Sequence, residues 1–81
     1  MSSSHLDIPA VTAETLFATA MHALRYGDMG QAETLLQQLI HDFPGFPDSW
    51  FVLGNLRYKQ ERWQEAESFY RQVLVLQPVV T

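Results

Sequence analysis

The amino-acid sequence predicts an all-α fold, in which four helices form two antiparallel hairpins stacked on each other. The first observation behind this prediction is a periodicity: apolar residues recur every three or four positions, as on one face of an α-helix. The second is an internal repeat, which places Ala66 34 residues after Ala32 and Pro78 the same distance after Pro44. The third is the placement of glycine and proline residues, which separate the periodic stretches and end helices.

The first predicted helix begins at Ala13 and ends near Tyr26. Thr12 precedes it and carries a hydroxyl group that can cap its first turn. Gly27 suits the left-handed conformation that often follows a helix, and Asp28 can cap the helix that comes next. The apolar face of the first helix comprises Leu16, Phe17, Ala20, Ala23 and Leu24. These features predict a tight turn between two antiparallel helices.

The second predicted helix is stopped by Pro44 and Gly45. Its apolar face comprises Ala32, Leu35, Leu36, Leu39, Ile40 and Phe43. This spacing is nearly that of an ideal amphipathic helix, so one side of the helix is expected to be buried and the other solvated.

The third predicted helix opens at Pro47, because a proline ring suits the first turn of a helix, and it ends near Gln60. The fourth extends from about Trp63 to about Gln77, and Pro78 prevents its continuation. With the repeat, these bounds predict a flexible segment over residues 1–12, a first hairpin over residues 13–46 and a second hairpin over residues 47–81.

The second of these units resembles a tetratricopeptide repeat. The residues that carry the resemblance are Trp50, Leu53, Gly54, Trp63, Ala66, Tyr70, Val73, Leu74 and Pro78. The first unit keeps the small residue at the helix crossing and the closing proline, although it lacks both tryptophans. The resemblance therefore covers all but about the first dozen residues.

The resemblance has implications for fold and function. It implies a right-handed superhelical stack of the two hairpins and a non-catalytic role in protein–protein interaction. It also implies that the helices approach closely at Gly54 and Ala66, and that the aromatic core positions are Trp50, Trp63 and Tyr70. Phe51 and Tyr58 lie off the core stripe of their helix and are expected outside the core.

The composition makes several classes of partner and chemistry unfavourable. The formal net charge is −4, and residues 1–46 hold five acidic residues against one basic residue, so nucleic acids and anionic membranes are poor partners. The chain has no cysteine, which excludes disulfides, thiol nucleophiles and thiolate metal sites. It shows neither a signal-peptide pattern nor an apolar run that spans a bilayer, so we expect no membrane insertion and a cytoplasmic location.

No residue pattern points to catalysis or to a cofactor. His5, His22 and His41 are too far apart in the sequence for a compact metal-binding motif. Neither Ser49 nor Ser68 stands in a nucleophile elbow, and the glycines form no phosphate-binding loop. The sequence therefore predicts no enzymatic activity, no cofactor and no metal.

In tetratricopeptide repeats, the first helix of each hairpin lines a concave groove that holds a partner. The resemblance implies such a groove here, with the candidate residues Phe17, Met21, Leu24, Phe51, Asn55, Tyr58 and Lys59. Members that hold a C-terminal carboxylate resemble one another in having Lys and Asn one turn apart on this face, and only Asn55 occupies a comparable place. We therefore expect an apolar helical or extended segment as the ligand of an adaptor or assembly factor.

The outer side of the fourth helix is a predicted self-association face, formed by Tyr70, Val73, Leu74, Val75 and Leu76. The counterparts of the first three residues in the first unit have a following helix to cover, whereas none follows the fourth helix in this sequence. Monomers rarely leave such an apolar patch exposed. The expected partners are thus a protein or peptide and a second copy of the chain, as a homodimer.

Two alternatives to groove binding stay open at this point. The chain could be a self-associating structural unit or a fragment of a longer solenoid, since repeat proteins usually need about three units for stability. It could instead be a small bacterial secretion-type chaperone, because those chaperones include short acidic tetratricopeptide proteins.

Overall fold

A computed structural model describes residues 12–77, which form four α-helices. The helices are α1 (Ala13–Arg25), α2 (Met29–Asp42), α3 (Pro47–Lys59) and α4 (Trp63–Leu76). All regular secondary structure in this part of the chain is helical, which confirms the all-α prediction and places each helix end within one residue of its predicted position. The expectations for the N-terminal segment before Thr12 and for Pro78 lie outside the described residues.

The helices pack as two hairpins joined through their middle pair. α1 packs against α2 and α3 against α4, while α2 contacts α3 and so joins the hairpins. Because short turns connect the helices within each hairpin, consecutive helices run in opposite directions. The fold is therefore a stack in which α1 and α4 form the two ends.

The turn of the first hairpin forms as its residue types predict. The Thr12 hydroxyl accepts a hydrogen bond from the backbone N–H of Thr15 at 3.2 Å. Gly27 has a φ of 81°, and the Asp28 carboxylate accepts a bond from the backbone N–H of Gln31 at 3.1 Å. The Asp28 N–H in turn donates to the carbonyl of Ala23 at 2.8 Å, which closes the end of α1.

The turn of the second hairpin repeats this geometry with an unfavourable residue. Arg62 donates its backbone N–H to the carbonyl of Arg57 at 2.8 Å, the counterpart of the bond between Asp28 and Ala23. Glu61 occupies the position of Gly27 and adopts a φ of 63°. A side chain in the left-handed region crowds the backbone, so the second turn carries local strain that the first turn avoids.

The core lies where α2 and α3 meet. Its buried cluster comprises Ala20, Leu36, Leu39, Leu53 and Leu56. Ala32 and Ala66, one repeat apart, are also buried in their hairpins. Because no buried residue of this cluster comes from α4, the last helix rests on the core with less of its surface covered than α2 has.

A buried arginine connects three helices in a way that the sequence did not indicate. Arg57 on α3 is only 5% exposed and pairs with Glu33 of α2 and with Glu65 of α4, the latter at 3.0 Å. Its guanidinium carbon also lies 6.0 Å from the ring centre of Phe69. A hydrogen bond from Arg62 and the positive charges around it lower the pKa of Glu65, so that carboxylate stays ionised beside both arginines.

The prediction that Trp63 lies in the core is wrong. Trp63 is 54% exposed, because it begins α4 at the tip of the second hairpin and packs edge-on against Tyr58 at a centroid distance of 4.9 Å. Trp50 is half-buried, and its indole N–H donates a hydrogen bond to the Pro44 carbonyl at 2.8 Å. The expectation that Phe51 and Tyr58 lie off the core is confirmed, since both are exposed.

Replacing Glu61 with glycine should stabilise the protein, because glycine adopts a positive φ without crowding the backbone. We expect the free energy of unfolding of the Glu61→Gly variant to rise by about 1 kcal/mol in urea titrations followed by circular dichroism. Gly27→Ala at the matching position is the control and should lower stability instead. A Glu61→Gly variant less stable than the wild type would contradict the strain at this turn.

Candidate functional site

A cleft opens where α1 passes α3, and we call it the α1–α3 cleft. Its lining residues are Met21, Leu24, Met29, Val52, Asn55, Leu56 and Lys59. Four of the seven predicted groove residues meet here: Met21 and Leu24 from α1, and Asn55 and Lys59 from α3. The floor of this cleft is apolar, and its polar groups are one amide and one ammonium.

Three lining residues were missed from the sequence. Met29 comes from the first turn of α2, whereas Val52 and Leu56 come from α3. A signal for the last two was present, because Val52 lies three residues before Asn55, and Leu56 lies four residues after Val52 and three before Lys59. Met29 could be found only through the hairpin geometry, which brings the start of α2 beside the end of α1.

The other predicted groove residues lie outside this cleft. Phe17 packs edge-on against Phe46, with ring centres 5.6 Å apart, and belongs to the side chains around the core cluster. Tyr58 packs against Trp63 at the tip of the second hairpin. Phe51 points toward α4, where its ring centre lies 6.0 Å from that of Tyr70.

Tyr70 joins the cleft to α4. Its hydroxyl donates a hydrogen bond of 2.6 Å to the side-chain oxygen of Asn55. This bond fixes which side of the Asn55 amide faces Tyr70, so the N–H₂ group lies on the other side, where it can donate to a ligand. The amide is thus held as a hydrogen-bond donor, in a cleft whose remaining lining is mostly aliphatic.

The position of Tyr70 depends on the absence of a side chain at Gly54. A Cβ atom built on Gly54 would lie 2.6 Å from Cε1 and 2.8 Å from Cδ1 of the tyrosine ring. The ring therefore lies directly over the glycine, as the predicted close approach of α3 and α4 requires. Any side chain at position 54 must displace the ring and, with it, the hydrogen bond to Asn55.

A second apolar surface lies beside the cleft, and we call it the C-terminal face. It is lined by Phe51, Tyr70, Val73 and Leu74. Phe51 is 50% exposed and Leu74 55% exposed. Three residues of the predicted self-association face thus lie together with Phe51, while Val75, at 70% exposure, and Leu76 are not part of this lining.

The described histidines make local contacts. The ring of His22 packs against Tyr26 at 4.6 Å, and that of His41 hydrogen-bonds to Asp42 at 2.9 Å. Over residues 12–77 there is no group of three histidine or acidic side chains placed to hold a metal ion. Nor does any helix in this range have the length and apolar character needed to cross a membrane.

Comparisons with known proteins give one match. A family model described as tetratricopeptide repeat matches residues 17–79, which is most of the chain and covers α1 from Phe17 onward and all of α2, α3 and α4. The searches of curated proteins and of solved structures found no match.

The Gly54→Ala variant tests whether the crossing of α3 and α4 is as close as described. Because the added methyl group must push the Tyr70 ring aside, we expect a loss of about 1–3 kcal/mol in the free energy of unfolding. Gly30→Ala is the matched control: Gly30 is also helical but has no neighbouring atom within 4 Å of a built Cβ, so this change should stabilise by about 0.4–1 kcal/mol. Equal effects of the two substitutions in urea titrations would contradict the close crossing.

Proposed function

The chain belongs to the tetratricopeptide repeat family, whose helical repeats are protein-interaction modules, and from this premise we propose that it binds an apolar segment of a partner protein in the α1–α3 cleft. The bound segment is helical or extended, and the protein acts as a non-catalytic adaptor or assembly factor. One observation carries the proposal: the Tyr70 hydroxyl fixes the Asn55 amide as a donor within an apolar cleft.

This combination of groups suits a polypeptide ligand. Apolar side chains of the ligand contact Met21 and Leu24, whose burial supplies most of the binding free energy. The Asn55 N–H₂ donates to a backbone carbonyl of the ligand, which fixes its position without regard to its sequence. Lys59 also lines the cleft, one helical turn beyond Asn55, and can pair with an acidic residue that flanks the apolar segment.

The size of the cleft favours a protein segment over a small metabolite. Its volume is about 260 Å³, and pockets for small molecules usually begin at about 300 Å³ and enclose most of the ligand. A cleft of this size holds one or two side chains, while the remainder of a bound segment extends along the surface of α1 and α3. We therefore expect affinity to come from a few anchoring side chains.

The proposal is tested with peptides selected from a displayed library of random 12-residue sequences. We expect the wild type to enrich apolar sequences and Met21→Glu to weaken their binding by at least about 50-fold, since the carboxylate would be buried against apolar side chains. Asn55→Ala should weaken binding about 5- to 10-fold, which corresponds to one lost hydrogen bond. Fluorescence anisotropy of labelled peptides gives both values.

The control is Val75→Glu, which adds the same charge on α4 away from the cleft lining and should leave binding unchanged. Circular dichroism establishes that all variants keep their helix content. Selected peptides that bind Met21→Glu as tightly as the wild type would show that the α1–α3 cleft is not the binding site.

A further inference from the structure

The C-terminal face has a counterpart inside the protein. A shift of 34 residues relates its four residues to Phe17, Leu36, Leu39 and Ile40. Leu36 and Leu39 are fully buried in one cluster with Leu53 and Leu56 of α3, and the other two pack against that cluster. In the first hairpin, this surface is therefore covered by the next helix, α3.

In the second hairpin the same surface is open. Phe51 and Leu74 are each about half exposed, and Tyr70 and Val73 are only partly buried. The four side chains make an almost entirely apolar patch, because the Tyr70 hydroxyl is turned to Asn55. An apolar surface that is covered in one repeat and exposed in the next has the chemistry of an interface.

The opposite end of the stack does not match this surface. The cap residue Phe46 and the α3 residues Val52, Leu53 and Leu56 pack in the core, and Ser49 of α3 is also buried. A shift of 34 residues relates these five to the cap residue Thr12 and to Thr15, Ala18, Thr19 and His22 of α1. All five counterparts are exposed. The Thr19 hydroxyl donates to the Thr15 carbonyl at 3.0 Å, so it is satisfied within its own helix. Copies stacked head to tail would set this polar side against apolar residues.

The distribution of charge favours one arrangement of two copies. Residues 1–46 carry a formal charge of −4, from five acidic residues and Arg25, whereas residues 47–81 hold four acidic and four basic residues. Two copies that meet through their second hairpins bring neutral halves together and keep the acidic halves far apart. Head-to-tail stacking would instead repeat the acidic half at every contact.

We infer that the C-terminal face binds the same face of a second copy, which gives a two-fold symmetric dimer. Phe51, Tyr70, Val73 and Leu74 of each copy cover those of the other, as α3 covers their counterparts within one chain. Because the two-fold arrangement buries the C-terminal faces of both copies, neither face is left to bind a third copy. The threonine-rich ends of both copies stay in water. This interface lies on a different surface from the α1–α3 cleft, so it does not depend on the proposed peptide binding.

The first test compares two neighbouring residues of α4. In sedimentation velocity over about a hundredfold range of concentration, the wild type should form a dimer and Leu74→Glu should remain a monomer. Val75→Glu is the matched control and should still dimerise, since its counterpart His41 stays exposed in the first hairpin. A monomeric wild type, or a dimer that Leu74→Glu leaves intact or that Val75→Glu also dissociates, would overturn the proposal.

The second test identifies the symmetry of the dimer by cross-linking single introduced cysteines. It is possible because the chain has no cysteine of its own that could react. With a short bis-maleimide reagent, Leu74→Cys alone should give a covalent dimer, whereas Thr19→Cys alone should give none. A product that forms only when the two variants are mixed would indicate head-to-tail stacking and overturn the two-fold dimer. Peptide binding in the cleft should persist in Leu74→Glu, so failure of this inference and failure of the proposed function are distinguishable.

Discussion

The close crossing of α3 and α4 at Gly54 is the constraint on which both candidate surfaces depend. The Tyr70 ring lies over the glycine with no room for a Cβ atom, and from that position it reaches two surfaces. Its hydroxyl holds the amide of Asn55 in the α1–α3 cleft, while its ring, beside that of Phe51, forms part of the C-terminal face. One side chain thus orients a polar group on one surface and completes an apolar patch on the other.

The repeat shows how this arrangement arises. Ala20 and Leu36 of the first hairpin stand at the positions that Gly54 and Tyr70 occupy in the second. The second pair combines a smaller residue with a larger one, so the two helices can approach while a phenol fills the space between them. Since leucine has no hydroxyl group and Met21 stands at the position of Asn55, the first hairpin has no counterpart of the bond between Tyr70 and Asn55. The two units therefore share a backbone plan but differ in the side chains that they place on their surfaces.

Local residue types were enough to predict the helices, whereas burial at the hairpin tips and between helices was not. Thr12 and Asp28 act through bonds to residues three positions away, so their roles as caps can be inferred from the sequence. The position of Trp63 at a tip and the burial of Arg57 depend on contacts between helices. For the same reason, spacing placed Phe51 in the groove row, although its packing against Tyr70 brings it to the C-terminal face.

A double-mutant cycle on the crossing tests this account most directly. The free energies of unfolding are measured in urea for the wild type, Gly54→Ala, Tyr70→Ala and the double variant. If the methyl group destabilises the protein because it strikes the ring, Gly54→Ala should cost stability in the wild type and none in the Tyr70→Ala background, with a coupling of about 1–3 kcal/mol. The same loss in both backgrounds would contradict the central role of the Gly54–Tyr70 contact.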